Sequence, residues 1–289
     1  MEFELDDEQR LLRRTARETV AKVRGRPERE QWETYLRLGW LEAPPLELSL
    51  ILEELGYAAD PTPFLATATW FAPLTGRLPE GSGTAVFDGL GRYVLDADRA
   101  DEVALLTPDG VTVVRGTELA AERIPVLDPN LHVARVESGA VVASGALVAG
   151  VPDLALTGLA ATAVGACRRV LDLVLVHVKQ RVQFGRPIGS FQAVKHKAAD
   201  LHVAIERARA LTHFAALTIA EDDPRSTRAA HMAKAAAGEC QRLVFRHGLQ
   251  LFGAMGFTWE NELQFALKRA QACDLLLGTA SAHRKALLT

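Results

Sequence analysis

No stretch of this 289-residue sequence approaches the ~20 consecutive apolar residues that a membrane-crossing helix needs. No charge of one sign dominates: 33 Lys and Arg stand against 36 Asp and Glu, leaving −3. Nothing here recommends a nucleic-acid partner, and there is no acidic tail to solvate. Cysteine is scarce. Cys167, Cys240 and Cys273 are widely spaced and show neither CxxC nor His-paired spacing. They read as reduced, buried thiols of a cytoplasmic protein, not as disulfides or ligands. The first residues, Met-Glu-Phe-Glu-Leu-Asp-Asp, have no apolar signal core, so nothing points to export. The histidines sit singly; His196 and His202 are six apart, off a common helix face, and no metal site is expected. GxSxG, a P-loop and a strand-following GxGxxG are all missing.

What remains is an ordinary soluble composition, 48% hydrophobic and 24% charged, long enough for a large core. Asp6-Asp7-Glu8 opens a helix with Leu11, Leu12, Thr15, Ala16, Val20 and Val23 on one side. A second helix runs through Trp32, Tyr35 and Leu36 to Gly39, and Pro44-Pro45 ends it. A third covers Leu46–Tyr57, and a fourth, rich in Ala and Thr, stops near Gly76. Residues 1–80 are therefore predicted to form a helical domain. From 81 to 150 the pattern shortens to strands at Thr84–Phe87, Tyr93–Leu95, Val103–Leu106, Val111–Arg115, Val133–Val136 and Ala140–Ala143. Asp96-Ala-Asp98 and Glu122-Arg-Ile-Pro125 read as turns between them.

Residues 151–289 return to helices. Asp153–Lys179 carries Gly158, Ala161 and Gly165, small residues that permit close helix approach. Phe191, Val194, Ala198, Leu201, Ile205, Ala208 and Leu211 form the seam of an antiparallel bundle. Glu206, Arg207 and Arg209 read as a solvated face beside that seam. Asp222-Asp223-Pro224-Arg225 turns the chain into a helix reaching Gln250, and a last one spans Glu260–Leu277.

Two motifs interrupt the bundle. The first is Arg181-Val-Gln-Phe-Gly-Arg-Pro-Ile-Gly-Ser-Phe-Gln192, of the form R-x-Q-F-G-x-x-I-x-x-F-Q. The second is Gln250-Leu-Phe-Gly-Ala-Met-Gly-Phe-Thr-Trp-Glu260, followed by Lys268-Arg269-Ala270. Together they resemble the signatures of the acyl-CoA dehydrogenase family, and the G-F-T-W-E variant is similar to members from actinobacterial steroid degradation. The resemblance implies a mainly α fold with a small β module: N-terminal helical domain, reduced middle β domain, C-terminal four-helix bundle. It implies that Arg181, Gln183, Phe184, Gln192, Gln250, Gly253, Ala254 and Gly256 touch the FAD of a neighbouring chain. Glycine lets backbone approach a diphosphate closely, and a guanidinium adds charge-assisted hydrogen bonds. Trp259-Glu260 is taken as structural.

The chain departs from that family in two places. Members remove the substrate α-proton with a glutamate in a Y-E-G-T run; here Asp274-Leu-Leu-Leu-Gly-Thr279 puts Leu277 at that position. A branch that carries the base on the first bundle helix has its counterpart at Ala155. Neither side chain accepts a proton, so no catalytic residue is expected. The strand-rich insertion that holds a member's own FAD is also missing between Thr84 and Gly150. The resemblance thus implies a subunit that shares FAD with a longer catalytic partner in an α2β2 heterotetramer. The acyl-CoA, a steroid side-chain thioester, would be bound mainly by the partner, with an electron-transfer flavoprotein or similar acceptor. Two alternatives remain open: a homo-oligomeric enzyme with Asp153 or Asp274 as displaced base, and a helical scaffold without enzymatic activity.

Overall fold

The 28-residue helix α6 (Asp153–Gln180) is the axis around which the other helices assemble. In this computed structural model, residues 4–87, 93–136, 147–258 and 261–288 are described. α6 packs against α3 (Pro45–Ala58) on one side and against α7 (Gln192–Ala220), α8 (Ser226–Phe252) and α9 (Leu263–Leu275) on the other. Two glycines set the α3–α6 separation. A Cβ on Gly165 would stand 1.9 Å from the Glu53 carbonyl oxygen, and one on Gly56 would stand 2.1 Å from that of Thr162. Gly158 admits Thr69 in the same way, at 2.8 Å.

The N-terminal helices follow their sequence signals. Asp6 caps α1 (Asp7–Val23) by accepting from the Gln9 N–H, and Gln9 returns the bond to the Asp6 N–H. Ala16, Val20 and Val23 are buried, but Leu11 is 52% exposed, so the buried stripe is narrower than the pattern suggested. α2 (Glu28–Arg37) ends before a left-handed Gly39. Pro45 opens α3 at a position where its missing N–H costs nothing. α4 (Phe64–Ala66) and α5 (Ala72–Thr75) are joined by a π-helical turn, Thr67–Phe71, ending at left-handed Gly76.

The β region forms two small sheets. β1 (Gly83–Val86) pairs parallel with β3 (Glu102–Thr107), which pairs antiparallel with β4 (Gly110–Arg115). β2 (Val94–Leu95), β6 (Val133–Val136) and β5 (Ala121–Arg123) make the second. The turn expected at Glu122-Arg-Ile-Pro125 is corrected here. Ala121–Arg123 is an edge strand registered on Ala134–Val136, a local pattern too short and polar to announce itself. Asp96-Ala-Asp98 is a turn, yet Asp96 is buried, at φ 58°, and accepts from Arg99. The strand expected over Ala140–Ala143 lies outside the described residues, as do Trp259 and Glu260.

Two further expectations change. α9 begins at Leu263, after an Asn261 turn, and stops at Leu275; a short α10 (Ala280–Ala286) then packs back on α8. Arg209 is not on a solvated face. Its side chain is 12% exposed and grips Glu53 through Nε and Nη2. Glu53 and Glu54 of α3 also take Arg168 of α6 and Arg13 of α1. Partners on three helices could not be read from α7 alone. One apolar cluster runs continuously from both sheets into α6, α8 and α9, so the β region and the bundle share a core. Arg269 pins them together. It donates to Asp128 Oδ2 at 2.5 Å and to the carbonyls of Asp60 and Asn130.

Candidate functional site

α6, α7 and α8 bring both sequence motifs to one end of the bundle. Arg181 leaves α6 with extended backbone, its N–H donating to the His177 carbonyl at 2.8 Å. A hairpin of β7 (Val182–Gln183) and β8 (Arg186–Pro187) follows, with Phe184 and Gly185 at φ 55° and 75°. Two successive left-handed residues match the twist of a tight hairpin. Glycine enters that region freely, whereas phenylalanine there costs roughly 1–2 kcal/mol. The ring so displayed is 91% exposed, edge-on to Phe191 at 6.1 Å. Arg186 lies over the Phe191 ring at 4.2 Å.

Gln192 opens α7 beside the hairpin and is exposed. At the end of α8, Gly253 has φ 62° and ψ −144°, a combination that only glycine adopts without strain. Gly253 and Ala254 lie at the surface; Gly256 is buried beneath them, where a Cβ would meet Phe252 Cβ at 3.0 Å. Gln250 is exposed and accepts from Lys197 Nζ at 2.6 Å. The His177 imidazole stacks on Phe252 with centroids 4.5 Å apart, which fixes the Arg181 and Gly253 turns side by side. Burial, and then the charge of Arg181, lowers the His177 pKa.

This end of the molecule therefore gathers guanidinium and ammonium groups, amide side chains, a glycine turn and an outward-facing ring. Such a set suits an anionic diphosphate joined to an aromatic body. Arg181, Gln183, Phe184, Gln192, Gln250, Gly253 and Ala254 all face outward, so this chain covers such a ligand on one side only. Gly256 shapes the turn from below.

The far side of the bundle holds the two positions where a base was sought. Leu277 is 3% exposed and Ala155 0%, and both belong to the apolar cluster that contains Trp70, Phe71 and Leu159. The two carboxylates considered as substitutes are engaged elsewhere. Asp153 Oδ2 accepts from the hydroxyls of Ser226 and Thr227 at 2.8 and 3.0 Å. Asp274 Oδ1 accepts the Ala280 N–H at 2.9 Å, tying α9 to α10.

Sequence reasoning overlooked what holds the Leu277 turn. Leu277 and Gly278 are both left-handed, at φ 57° and 110°. Lys234, fully enclosed in α8, donates through Nζ to the carbonyls of Asp274 and Gly278 at 3.0 and 2.6 Å. Burial pushes its pKa down to about 8. His283 Nε2 lies 3.1 Å from the Leu277 carbonyl, which only accepts, so Nε2 carries the proton. Its Nδ1 must then accept from His231 Nδ1 at 2.7 Å. Burial, with Lys234 and His231 adding, holds the His283 pKa down at about 3. A lysine inside the Ala233–Ala237 run, on an otherwise apolar helix face, was the one available signal.

The family model described as "Acyl-CoA dehydrogenase, C-terminal domain" matches residues 156–288. The chain is 38% identical to the acyl-CoA dehydrogenase IpdE2 of Mycolicibacterium smegmatis over 242 residues, 80% of this chain and 74% of that protein. Among solved structures, the ChsE4-ChsE5 complex from Mycobacterium tuberculosis superposes with a TM-score of 0.82 at 20% identity, covering 99% of this chain and 98% of that one. The Tcur3481-Tcur3483 steroid ACAD G363A variant gives 0.80 at 22% identity, covering 97% and 96%. At these identities the structural likeness is one of fold.

Proposed function

This chain belongs to the acyl-CoA dehydrogenase family, and on that premise we propose that it is the base-less subunit of a heteromeric, FAD-dependent acyl-CoA dehydrogenase. Members of the family are flavoproteins that use FAD. The reading is carried by one observation: Leu277 and Ala155 lie sealed in a common apolar cluster. Neither position offers a proton acceptor, and the space around them is filled by side chains. Losing a positioned base costs roughly 10²–10⁴-fold in rate, so a longer partner chain must contribute the glutamate. The division at residues 80 and 150 into helical, reduced β and bundle domains belongs to the same reading.

FAD, when bound, supplies the two-electron acceptor for α,β-dehydrogenation of an acyl-CoA thioester. This chain's task is to hold part of it. Arg181 and the amides of Gln183, Gln192 and Gln250 bind its anionic and polar portion, and Phe184 packs against an apolar portion. Gly253 and Ala254 allow backbone to approach closely. Because these groups face outward, the remaining contacts and the exclusion of water fall to the partner. The thioester is likewise bound mainly by the partner. Two solved structures of this fold carry paired names, ChsE4-ChsE5 and Tcur3481-Tcur3483, and the second is called a steroid ACAD. The paired names support a heteromeric assembly, read here as α2β2, and the second supports a steroid-type CoA ester, read here as a side-chain thioester, as substrate. An electron-transfer flavoprotein or similar acceptor and a cytoplasmic location complete the proposal. No observation favours Asp153 or Asp274 as base, since both are bound to neighbouring groups.

Flavin absorbance after expression with and without a longer family member from the same genome tests the reading. Yellow protein on co-expression alone is the expected outcome. A flavin-loaded, active homo-oligomer of this chain would overturn it.

A further inference from the structure

β4 (Gly110–Arg115) forms one edge of its sheet and is exposed along most of its length. Among the described residues, the other edges of the two three-stranded sheets are protected. β1 and β2 are buried throughout, and β5 is three residues long and carries Glu122 and Arg123. Covered, short or charged edges resist pairing with another chain. β4 has no such safeguard over Val111-Thr112-Val113, where the valines are 42% and 36% exposed. Val114 packs against the core from the opposite face, so strand alternation turns Val111 and Val113 outward.

The backbone of this edge is unpaired as well. A two-residue turn, Pro108-Asp109, joins Thr107 to Gly110, and β3 and β4 pair without a bulge from there to Glu102 and Arg115. Antiparallel partners alternate between bonded and unbonded pairs. With Thr107 and Gly110 as the bonded pair that closes the hairpin, Gly110, Thr112 and Val114 turn their N–H and C=O groups to β3. Those of Val111 and Val113 point away from it. Among the described residues, no backbone group meets these four. The β3 side chains Val103 and Ala104 are fully enclosed, so β4 is presented on a fixed support.

The edge is also complementary to itself. A two-fold axis through Thr112 sets Val111 opposite Val113 of a second copy, and Val113 opposite its Val111. The outward groups of both strands then meet in a continuous ladder, and the valines form cross-strand apolar pairs. The same register sets Asp109 opposite Arg115 of the other copy at each end, and both residues are exposed. Opposite charges facing each other across strands are favourable. An axis through Val111 would set Asp109 against a valine, and one through Val113 would do the same to Arg115. Charge and apolar pattern therefore select one register.

We propose that β4 pairs antiparallel with β4 of a second copy of this chain about an axis through Thr112, joining two three-stranded sheets into one. Six residues a side make a small contact, below the ~1,200 Å² of stable complexes, so the dimer is weak and reversible. It is independent of the flavin reading. A flavin-free dimer leaves that reading standing, and a flavin-loaded heteromer without this contact refutes only the pairing.

Sedimentation of the full chain should show a monomer–dimer equilibrium. Thr112→Cys is the specific probe, because Cys167, Cys240 and Cys273 are buried. On the axis, an unbonded antiparallel pair sets two Cα atoms about 4.5 Å apart, within reach of a disulfide. Oxidation with copper-phenanthroline should link these chains into dimers. Val113→Cys should resist linking, since its two Cα atoms lie roughly 8 Å apart, two residues along and one strand across. Val113→Pro removes an outward N–H and spares the β3 ladder. It should weaken the dimer at least about tenfold, through two lost hydrogen bonds. Arg115→Asp should weaken it severalfold, and adding Asp109→Arg should restore it. These positions are exposed, and thermal melts verify folding; the cysteine pair decides even if proline is not tolerated. A monomer at every concentration, equal linking of both cysteine variants, or a dimer indifferent to a folded Val113→Pro would each overturn the proposal. Loss of linking when a longer family member assembles would assign the edge to that chain, and would overturn it equally.

Discussion

The imidazole of His177 and the ring of Phe252 lie nearly parallel, 14° apart at a centroid distance of 4.5 Å. That contact joins the end of α6 to the end of α8 and so places the Arg181 hairpin next to the Gly253 turn. Each turn alone would be a common loop between helices. Side by side, they form the half-cradle on which the proposed flavin role rests.

Arg181→Ala is expected to lower FAD occupancy of the assembled complex without destabilising it. The guanidinium is exposed, and each charge-assisted hydrogen bond it contributes is worth roughly 1.5–3 kcal/mol. Flavin titration should show about ten- to a hundredfold weaker binding, with thermal melting unchanged. Equal flavin affinity in the two proteins would remove Arg181 from the site.

Leu277→Glu should reduce the stability of the chain and add no dehydrogenase activity. The position is 3% exposed inside an apolar cluster, and a carboxyl there loses the Leu packing and meets no partner. A cost of roughly 3–5 kcal/mol is expected. Denaturant unfolding of the variant measures it. A stable variant that dehydrogenates acyl-CoA would show that the pocket is open after all.

Acid should weaken the α3–α6–α7 junction. Burial alone would raise the Glu53 pKa, but Arg209, Arg168 and Arg13 outweigh it and hold it at about 2. A depressed carboxylate contributes its stability above the unfolded value and loses it as pH falls through the folded one. The window therefore runs from about pH 5 down to pH 2, with a contribution of about 3 kcal/mol. Glu53→Gln should remove this pH dependence and cost roughly 3–5 kcal/mol at neutral pH by stranding buried guanidinium groups. Unfolding curves across the acid range, compared between the two proteins, check both parts.

Lys234→Met should reveal a slope of the same sign in alkali. The folded-state pKa of Lys234 is lowered to about 8 from an ordinary 10.5. Between these values the unfolded chain holds a proton that the folded chain has released, so wild-type stability rises with pH there. The difference in unfolding free energy between wild type and variant should grow by about 2–3 kcal/mol from pH 7 to pH 10. A difference independent of pH would mean that the lysine is not enclosed as described. At neutral pH the variant should also be less stable, because the Asp274 and Gly278 carbonyls lose their donor.

The sequence by itself determined what short-range physics encodes. Helical periodicity, capping at Asp6, proline at the start of α3 and glycine after α5 and α8 located most helices. The Arg181 and Gln250 motifs, read with the family they resemble, named residues that the fold gathers at one bundle end, and the same comparison pointed to Leu277 and Ala155 as side chains that accept no proton. Strand Ala121–Arg123 escaped because its pairing with Ala134–Val136 is a relation between distant segments. Arg209 was misread for the same reason: its partner Glu53 lies on another helix, 156 residues away. Only the tertiary structure decided that Lys234 and His283 hold the Leu277 turn, and that Arg269 locks sheet to bundle. Local patterns fix where a helix begins and which face is apolar. Which buried charge meets which partner, and what space is left between layers, depends on how those faces pack.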